Sequence, residues 1–380
     1  MSDTKNFFES PQAAAVYKHK LLKSYIPAWA GKVGSTADGR KVVVYDAYSG
    51  PGRYANNDPG SPELLVDTAV AMAELRNVYS IFSEKSLAHC EQLENMLKSK
   101  GVESSTYEIR QGPVEKHIDR VLTVSGGQPL FVFLDPFGLT VPFDRIVQIL
   151  KSRDHPGLPR PQQPKTELLM NFSYEAVRRI AGALRSPKAY AAKDAQIAAL
   201  DSALGGDWWR ELALQESPDW VQQVLVGFAD RVGTATGCSY ITADVADSLT
   251  AKPVYELILF TRHDDGLWKM AESMSLARRD WRQWLVKQND SQGNAQQELP
   301  GLNFTDNESE WVREIAENVK AILSKFGRFR IDEKLEKVFG RTLGLARETH
   351  IRKALKLLKT EGVISIVPIG GLQRAWVDPN

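Results

Sequence analysis

Two short apolar segments, each ending in a chemically distinctive turn, constrain this chain more than any other feature. The first is Val42–Asp46, which is followed by Ala47-Tyr48-Ser49-Gly50-Pro51-Gly52. The second is Phe131–Leu134, which is followed by Asp135-Pro136-Phe137-Gly138. Short apolar runs bounded by Gly and Pro are typical of buried parallel strands. Because ligands of open α/β sheets bind at the carboxyl ends of such strands, we expect both turns to line one site.

Strands and helices alternate along the amino-terminal part of the chain. Further strands are expected near residues 78–82, 106–110 and 167–172, with helices over 11–29, 86–99 and 113–122 and a helix that starts with Ser61 as its N-cap. This alternation predicts an α/β domain with a mostly parallel sheet and helices on both faces. A helical insertion is expected over 174–235, and parallel strands are expected to resume at 238–243 and 254–260.

The periodicity divides the chain into three parts. Residues 1–290 form the predicted α/β domain, and the polar segment 291–307 is a predicted linker. Residues 308–380 contain an amphipathic helix ending near residue 326, helices at 332–339 and 346–360, and a hairpin of 363–367 with 375–377. Three helices with a two-stranded ribbon predict a winged helix-turn-helix.

Composition limits the classes of function. The formal net charge is only +1, so nucleic-acid binding would depend on local patches. The chain has only two cysteines, and its histidines lack metal-ligand spacing, so we expect neither a disulfide framework nor a metal site. No signal peptide or apolar run of roughly 20 residues is present. We therefore expect a cytoplasmic protein without membrane contact; the sequence does not indicate an oligomeric state.

The first turn has the chemistry of a nucleotide-like cofactor site. Gly50 and Gly52 allow the backbone to approach a ligand, and Asp46 can orient its amino-acid portion. Glu84, after the next strand, is placed to accept ribose hydroxyls, and Gln111-Gly112 could flank an adenine ring. The spacing Asp-x-x-x-Gly-x-Gly favours S-adenosylmethionine over a dinucleotide. The alternatives are an ordinary loop at Gly50–Gly52, a solvated acid at residue 84 and a plain turn at 111–112.

The second turn predicts the reacting site. The Asp135 carboxylate and the Pro136 carbonyl can accept hydrogen bonds from an exocyclic amine, and Phe137 can stack on a base. The alternative is that Asp135 caps a helix and Phe137 anchors the core. An ATPase is excluded because the chain has no Gly-x-x-x-x-Gly-Lys-Ser/Thr loop.

These motifs occur in an order that resembles bacterial adenine-N6 methyltransferases of large-subunit ribosomal RNA. The shared elements are Lys18-His19, Asp46 with Gly50-Pro51-Gly52, Gly60-Ser61-Pro62, Glu84 and Asp135-Pro136. The resemblance implies a Rossmann-like class I methyltransferase fold. It further implies that Lys18, His19, Asp46, Gly50, Glu84 and Gly112 contact S-adenosylmethionine and that Asp135 and Pro136 are catalytic.

The chain is still more similar to the three-Cys-motif partner proteins. They share Ser-Gly-Pro-Gly, Gly-Ser-Pro, Leu-Asp-Pro-Phe-Gly and an Asn-Phe strand end, here Asn171-Phe172. Adenine-N6 enzymes carry Asp/Asn-Pro-Pro-Tyr/Phe, whereas Phe137 here occupies the position of the second proline. The resemblance implies methylation of a nucleic-acid base nitrogen, with adenine N6 favoured. The alternative is a non-catalytic, nucleic-acid-binding scaffold that serves a cysteine-motif partner protein, in mobile-element or phage defence.

Basic residues of the tail predict the nucleic-acid contacts. Arg347, Arg352, Lys353 and Lys356 lie on the helix 346–360, Arg341 precedes it, and Arg374 lies in the predicted wing. A basic recognition helix with a basic wing is typical of phosphate contacts and groove docking on RNA or DNA. The alternative is a winged helix that contacts only protein.

Overall fold

A seven-stranded sheet forms the centre of the amino-terminal unit. The computed structural model describes residues 13–136, 138–153, 165–186, 192–215, 217–246, 248, 252–291 and 304–380. The strands are β1 Lys41–Asp46, β2 Asn77–Glu84, β3 Tyr107–Gln111, β4 Leu130–Leu134, β5 Thr166–Ser173, β6 Ser239–Val245 and β7 Tyr255–Thr261. Their order is β3-β2-β1-β4-β5-β7-β6. This is the sheet of the Rossmann-like class I methyltransferase fold, so the predicted fold class is confirmed.

The direction of β7 corrects the expectation that the last two strands are parallel to the others. β1 pairs in parallel with β2 and β4, but β7 is antiparallel to both β5 and β6. β6 ends at Val245 and β7 begins at Tyr255. A connection of this length suits an antiparallel pair, because a parallel crossover needs a dozen or more residues.

Nine helices surround the sheet in the described part of this unit. They are α1 Ala13–Val33, α2 Ser61–Ala71, α3 Leu87–Ser99, α4 Ile118–Ser125, α5 Phe143–Lys151, α6 Tyr174–Arg185, α7 Lys193–Leu204, α8 Trp209–Gln215 and α9 Trp220–Thr236. The last four lie between β5 and β6, where the insertion is predicted. Gly60, not Ser61, is the N-cap of α2, and Pro62 is in its first turn. The core lies against the sheet, and every residue of β4 is buried.

The second compact unit runs from His263 to Asn380. Its elements are α10 Asp264–Ser291, α11 Phe304–Phe326, β8 Phe329–Arg330, α12 Leu335–Phe339, α13 Glu348–Thr360 and β9 Trp376–Val377. α10 packs within this unit, since the Trp268 and Phe339 ring centroids are 6.2 Å apart and the Ser275 hydroxyl donates to the Leu345 carbonyl. The first unit therefore ends at Arg262, earlier than the domain boundary expected near residue 290. Of the predicted linker, residues 292–303 lie outside the described residues.

The two-stranded ribbon has a different partner from the one expected. Val377 and Trp376 pair with Phe329 and Arg330, not with the segment 363–367. That segment contributes an isolated bridge between Ile364 and Pro379. Local alternation cannot reveal this pairing, because β8 is separated from β9 by two helices. The winged helix-turn-helix stays a prediction.

None of the described helices is both long and apolar enough to cross a membrane.

Candidate functional site

A pocket of about 330 Å³ opens where β1, β4 and β5 end. Among the predicted site residues, its walls contain Lys18, His19, Gly52, Asp135 and Pro136. Unpredicted residues complete the walls, among them Tyr48, Ser49, Tyr54, Ser61, Asn171 and Tyr255. The topology therefore brings both turns to one cavity, at the sheet edge where open α/β folds bind ligands.

The glycine turn has a backbone conformation that favours glycine at two positions. Gly50 and Gly52 have φ values of 62° and 87°, in the left-handed region that favours glycine. A Cβ on Gly52 would lie 2.7 Å from the Met96 methyl carbon. The Gly60 amide donates to the Gly52 carbonyl over 2.9 Å and ties the turn to the start of α2. The turn is thus a rigid backbone cradle.

Glu84 supports this cradle from the end of the neighbouring strand. Its Oε2 accepts from the Gly50 amide over 3.0 Å, and its Oε1 accepts from the Ser86 amide over 2.7 Å. The Gly112 amide donates to the Glu84 carbonyl, whereas the exposed Gln111 side chain donates to the Lys85 carbonyl. Glu84, Gln111 and Gly112 lie beside the glycine turn but do not form the pocket wall.

Asp46 is a buried acid at the carboxyl end of β1. Its Oδ1 accepts from the Tyr48 amide over 3.3 Å, while its buried Oδ2 has no hydrogen-bond partner among the described residues. Burial raises the pKa of Asp46 to about 7, and the Ser61 hydroxyl moderates the shift without forming a regular hydrogen bond. Asp46 is fully buried and does not form part of the pocket wall.

Asp135 is held between a cation and an amide. Lys18 on α1 forms an ion pair with its Oδ2, and the Asn171 Nδ2 donates to its Oδ1 over 3.0 Å. Burial acts to lower the pKa of Lys18, but the Asp135 carboxylate raises it above its ordinary value. A carboxylate can only accept hydrogen bonds, so Asn171 must face Asp135 with its Nδ2 group. Its Oδ1 atom therefore points away from Asp135. That Oδ1 is buried and has no partner in the described part of the chain.

His19 gives the pocket a neutral imidazole. Burial, assisted by the neighbouring Lys18 ammonium, lowers the pKa of His19 to about 3. Its ring lies 5.9 Å from the Tyr54 ring, and burial raises the pKa of Tyr54. The pocket therefore combines a neutral nitrogen base with uncharged aromatic rings at neutral pH.

Of the remaining predicted residues, the structure gives a position for Lys18 but not for Phe137. Lys18 pairs with the predicted catalytic acid, so it lies on the Asp135 side of the pocket. Phe137 lies outside the described residues. Asn171 was noted in the sequence only as part of the shared Asn-Phe strand end and was not predicted to be a site residue, although it contacts Asp135. Among the described residues, no three His, Cys, Asp or Glu side chains come together in a way that could hold a metal ion.

The predicted nucleic-acid contacts lie in the second unit, and four of the six form ion pairs. Arg341 pairs with Glu314, Arg352 with Glu348, Lys353 with Glu308 and Arg374 with Asp265, each at 3.1 Å. Arg347 is the N-cap of α13, and its backbone amide donates to His350 Nδ1 over 2.9 Å. Lys356 is exposed on the same helix. The predicted recognition surface is therefore largely neutralised by its own carboxylates.

Comparisons with solved structures find similar folds at low sequence identity. The small RNA methyltransferase HEN1 is 13% identical, with a TM-score of 0.35, and the match covers 68% of this chain and 26% of that chain. This chain thus aligns with about a quarter of that protein's length. The methyltransferase domain of a bacterial Hen1 is 12% identical, with a TM-score of 0.34, over 65% of this chain and 99% of that one.

An O-methyltransferase from Bacillus cereus, solved in complex with SAH, is 14% identical, with a TM-score of 0.34, over 66% of this chain and 81% of that chain. Similarity at this level concerns the fold and gives no information on the ligand or the reaction of this chain. A scan of protein-family models finds no match for this chain. A search of curated proteins also finds none.

Proposed function

We propose that this chain is an S-adenosylmethionine-dependent methyltransferase that modifies a base nitrogen of RNA or DNA, with adenine N6 favoured. The observation that carries the proposal is the pocket that joins the glycine turn after β1 to Asp135-Pro136 after β4. Its volume of about 330 Å³ is at the lower end of the range typical of small-molecule sites. The class I methyltransferase sheet places this pocket at its ligand-binding edge.

The residues of the first turn fit the cofactor. The side-chain-free cradle at Gly50 and Gly52 admits close backbone approach, and the unpartnered Asp46 Oδ2 can accept a donor from the amino-acid portion. Glu84 already accepts two amide bonds, but a carboxylate offers about four acceptor positions, so it can also accept ribose hydroxyls. His19 is a further cofactor contact, and Gln111-Gly112 is proposed to flank the adenine. When bound, the cofactor supplies an electrophilic methyl group.

The second turn fits the acceptor base. We assign Asp135 and the Pro136 carbonyl to accept N–H bonds from an exocyclic amine, which directs the nitrogen lone pair away from them. Asn171 Oδ1, buried and unpartnered among the described residues, is a third acceptor beside them. Lys18 positions Asp135 through their ion pair. Phe137 keeps its predicted stacking role, and Tyr54 offers a second ring in the pocket wall.

Isothermal titration calorimetry with S-adenosylmethionine tests the cofactor assignment. The wild type is expected to bind, and Glu84→Ala is expected to weaken binding at least about tenfold because the ribose acceptor and the Gly50 support are both lost. Glu91→Ala, which removes an exposed acid from α3, is the matched control and should leave binding unchanged. Absence of wild-type binding would refute the proposal.

Transfer of a labelled methyl group to RNA and to DNA tests the reaction. We expect incorporation into one of the two nucleic acids, with nucleoside analysis identifying N6-methyladenine. Asp135→Ala should reduce incorporation about 100-fold or more while S-adenosylmethionine still binds. Retained transfer in that variant would remove Asp135 from the reacting site.

A second candidate function is a non-catalytic methyltransferase-like scaffold that binds nucleic acid. The observation that favours it is that Lys18 and Asn171 already bond to the two oxygens of Asp135 and would compete with an incoming amine. Cofactor binding without methyl transfer to RNA or DNA would support this candidate. The cysteine-motif partner protein and the role in mobile-element or phage defence belong to it and stay predictions.

A further inference from the structure

Three lysines surround an exposed aromatic ring at the end of α11, on a surface that was not among the predicted contacts. The Nζ atoms of Lys334, Lys337 and Lys325 lie 4.7, 5.0 and 5.5 Å from the centre of the Phe326 ring. Phe326 is 45% exposed. These four residues are called the Phe326 patch below. Gly327, with a φ of 67°, ends the helix and turns the chain away from the ring.

The Phe326 patch carries uncompensated positive charge. Its three ammonium groups all lie within about 10 Å of one another, which is one Debye length at ordinary ionic strength. None of these lysines forms an ion pair with a carboxylate of the described residues; of the acids next to them in sequence, Glu333 pairs with Arg330. An exposed ring attracts a cation only weakly, so it does not offset the repulsion among three like charges. An anionic ligand would relieve that repulsion.

The predicted contacts on and around α13 differ in this respect. Arg341, Arg352, Lys353 and Arg374 each have a carboxylate partner at 3.1 Å. A phosphate must displace those carboxylates before it gains the same contact. At the Phe326 patch no such exchange is needed, so each lysine can release counterions from a nucleic acid directly.

We propose that the Phe326 patch binds single-stranded nucleic acid, with backbone phosphates on Lys325, Lys334 and Lys337 and an unstacked base against Phe326. Exposed aromatic rings among lysines are the usual means of holding single strands, because every base has a face that can stack. A base inside a duplex offers no such face. The inference rests on the proposed function, since it names the surface by which that methyltransferase would hold its substrate.

Fluorescence anisotropy of the full-length chain with labelled oligouridylate and oligothymidylate tests the proposal. Lys334→Gln/Lys337→Gln is expected to weaken binding about tenfold and to reduce the slope of log K against log salt by about 1.4, as two lost phosphate contacts require. The matched control is Lys98→Gln/Lys320→Gln, which removes the same charge from two lysines that are paired with carboxylates and should change affinity less than about twofold. An equal or larger loss in the control would overturn the assignment.

Phe326→Leu separates stacking from charge. It should reduce affinity for the single strands several-fold with an unchanged salt slope, and Phe326→Tyr should restore affinity. Thermal unfolding of each variant shows whether it is folded; these side chains are solvent-accessible, so Tm should stay within a few degrees of the wild type. Unchanged affinity in Phe326→Leu would overturn the stacking contact.

Two further probes decide the class of ligand and the dependence on the proposed function. Tighter binding of phosphatidylserine vesicles or polyglutamate than of the oligonucleotides, lost in the lysine variant, would overturn the nucleic-acid assignment. The anisotropy measurement needs no cofactor. Oligonucleotide binding that depends on the Phe326 patch, without S-adenosylmethionine binding by calorimetry, would refute the methyltransferase proposal but support the proposal for the patch. S-adenosylmethionine binding together with oligonucleotide binding that does not depend on the patch would refute only the proposal for the patch.

Discussion

Two buried polar side chains lie near the carboxyl ends of strands that border the pocket. Asp46 Oδ2 and Asn171 Oδ1 are both buried and lack partners among the described residues. Leaving such an atom unsatisfied costs about 1–3 kcal/mol, so folded proteins rarely retain one without a ligand or water to fill the role. The two atoms belong to strands β1 and β5. Asn171 forms part of the pocket wall, whereas Asp46 does not.

The glycine at position 52 is expected to tolerate alanine less well than a glycine in open space with a similar φ. Gly52→Ala combines a left-handed φ with a Cβ 2.7 Å from the Met96 methyl carbon. Gly101→Ala is the control, because Gly101 also has a positive φ but nothing lies within 4 Å of its Cβ. The φ penalty should cost each variant about 1–2 kcal/mol, and the contact should cost Gly52→Ala roughly a further 1 kcal/mol, because the Met96 methyl group ends a flexible side chain that can move. Urea unfolding measures both; equal losses would contradict the clash.

At the scale of elements, one buried carboxylate joins α1, β5 and β7. Glu167 on β5 accepts from the Tyr25 hydroxyl of α1 over 2.6 Å and from the Thr261 hydroxyl of β7 over 2.8 Å. Burial raises the pKa of Glu167 to about 7, from 4.5. The two hydroxyl bonds and the positive charge of Lys165 moderate the effect of desolvation on this pKa without cancelling it.

This carboxylate predicts a dependence of stability on pH. The folded state binds the Glu167 proton more tightly than the unfolded state, so its contribution to the free energy of unfolding is largest below about pH 4.5 and falls as the pH rises to about 7. The loss is on the order of 2–3 kcal/mol. Glu167→Gln keeps the shape of the side chain but removes its titratable group. The hydroxyls of Tyr25 and Thr261 can reorient, so that one donates to the new amide and the other accepts from it. Between about pH 4.5 and about pH 7, the unfolding free energy of the wild type should therefore fall relative to that of Glu167→Gln.

Glu74→Gln provides the control for this measurement. It removes an exposed acid near the end of α2, so its difference from the wild type should stay constant between pH 4.5 and pH 7. A constant difference for Glu167→Gln as well would show that the buried acid does not titrate there.

At the scale of the whole molecule, the chain is built from two compact units, and α10 belongs to the second. Trp268, Met270 and Met274 of α10 are buried, and a Cβ on Gly344 would collide with the Met274 side chain. These apolar side chains supply the second unit with a part of its core that residues 308–380 lack.

Fragments of the second unit should therefore differ in stability. We expect residues 263–380 to unfold cooperatively on their own. Residues 308–380 should be less stable by at least about 3 kcal/mol, because burial of each large α10 side chain contributes about 1.5–3 kcal/mol. Thermal unfolding followed by near-ultraviolet circular dichroism measures both fragments. Equal stability would place the domain boundary near residue 290, as the sequence predicts.

The sequence by itself determined the parallel strands, the two turns at their ends and the class of fold. These features are local: apolar runs such as Phe131–Leu134 and the glycines at positions 50 and 52 act through neighbouring residues. The turns meet because parallel strands bring their carboxyl ends to one edge, a consequence of topology that the alternation of elements already implies.

Only the tertiary structure decided which side chains pair across long separations. Lys18 and Asp135 are 117 residues apart, and β9 pairs with β8 across two helices. The same holds for the lysines around Phe326, which come from different elements, and for the carboxylates that neutralise the residues around α13. No periodicity encodes such contacts, because they depend on how elements pack. The glycine turn was thus predictable from the sequence, whereas the partners of Asp135 and of the basic residues were set by packing.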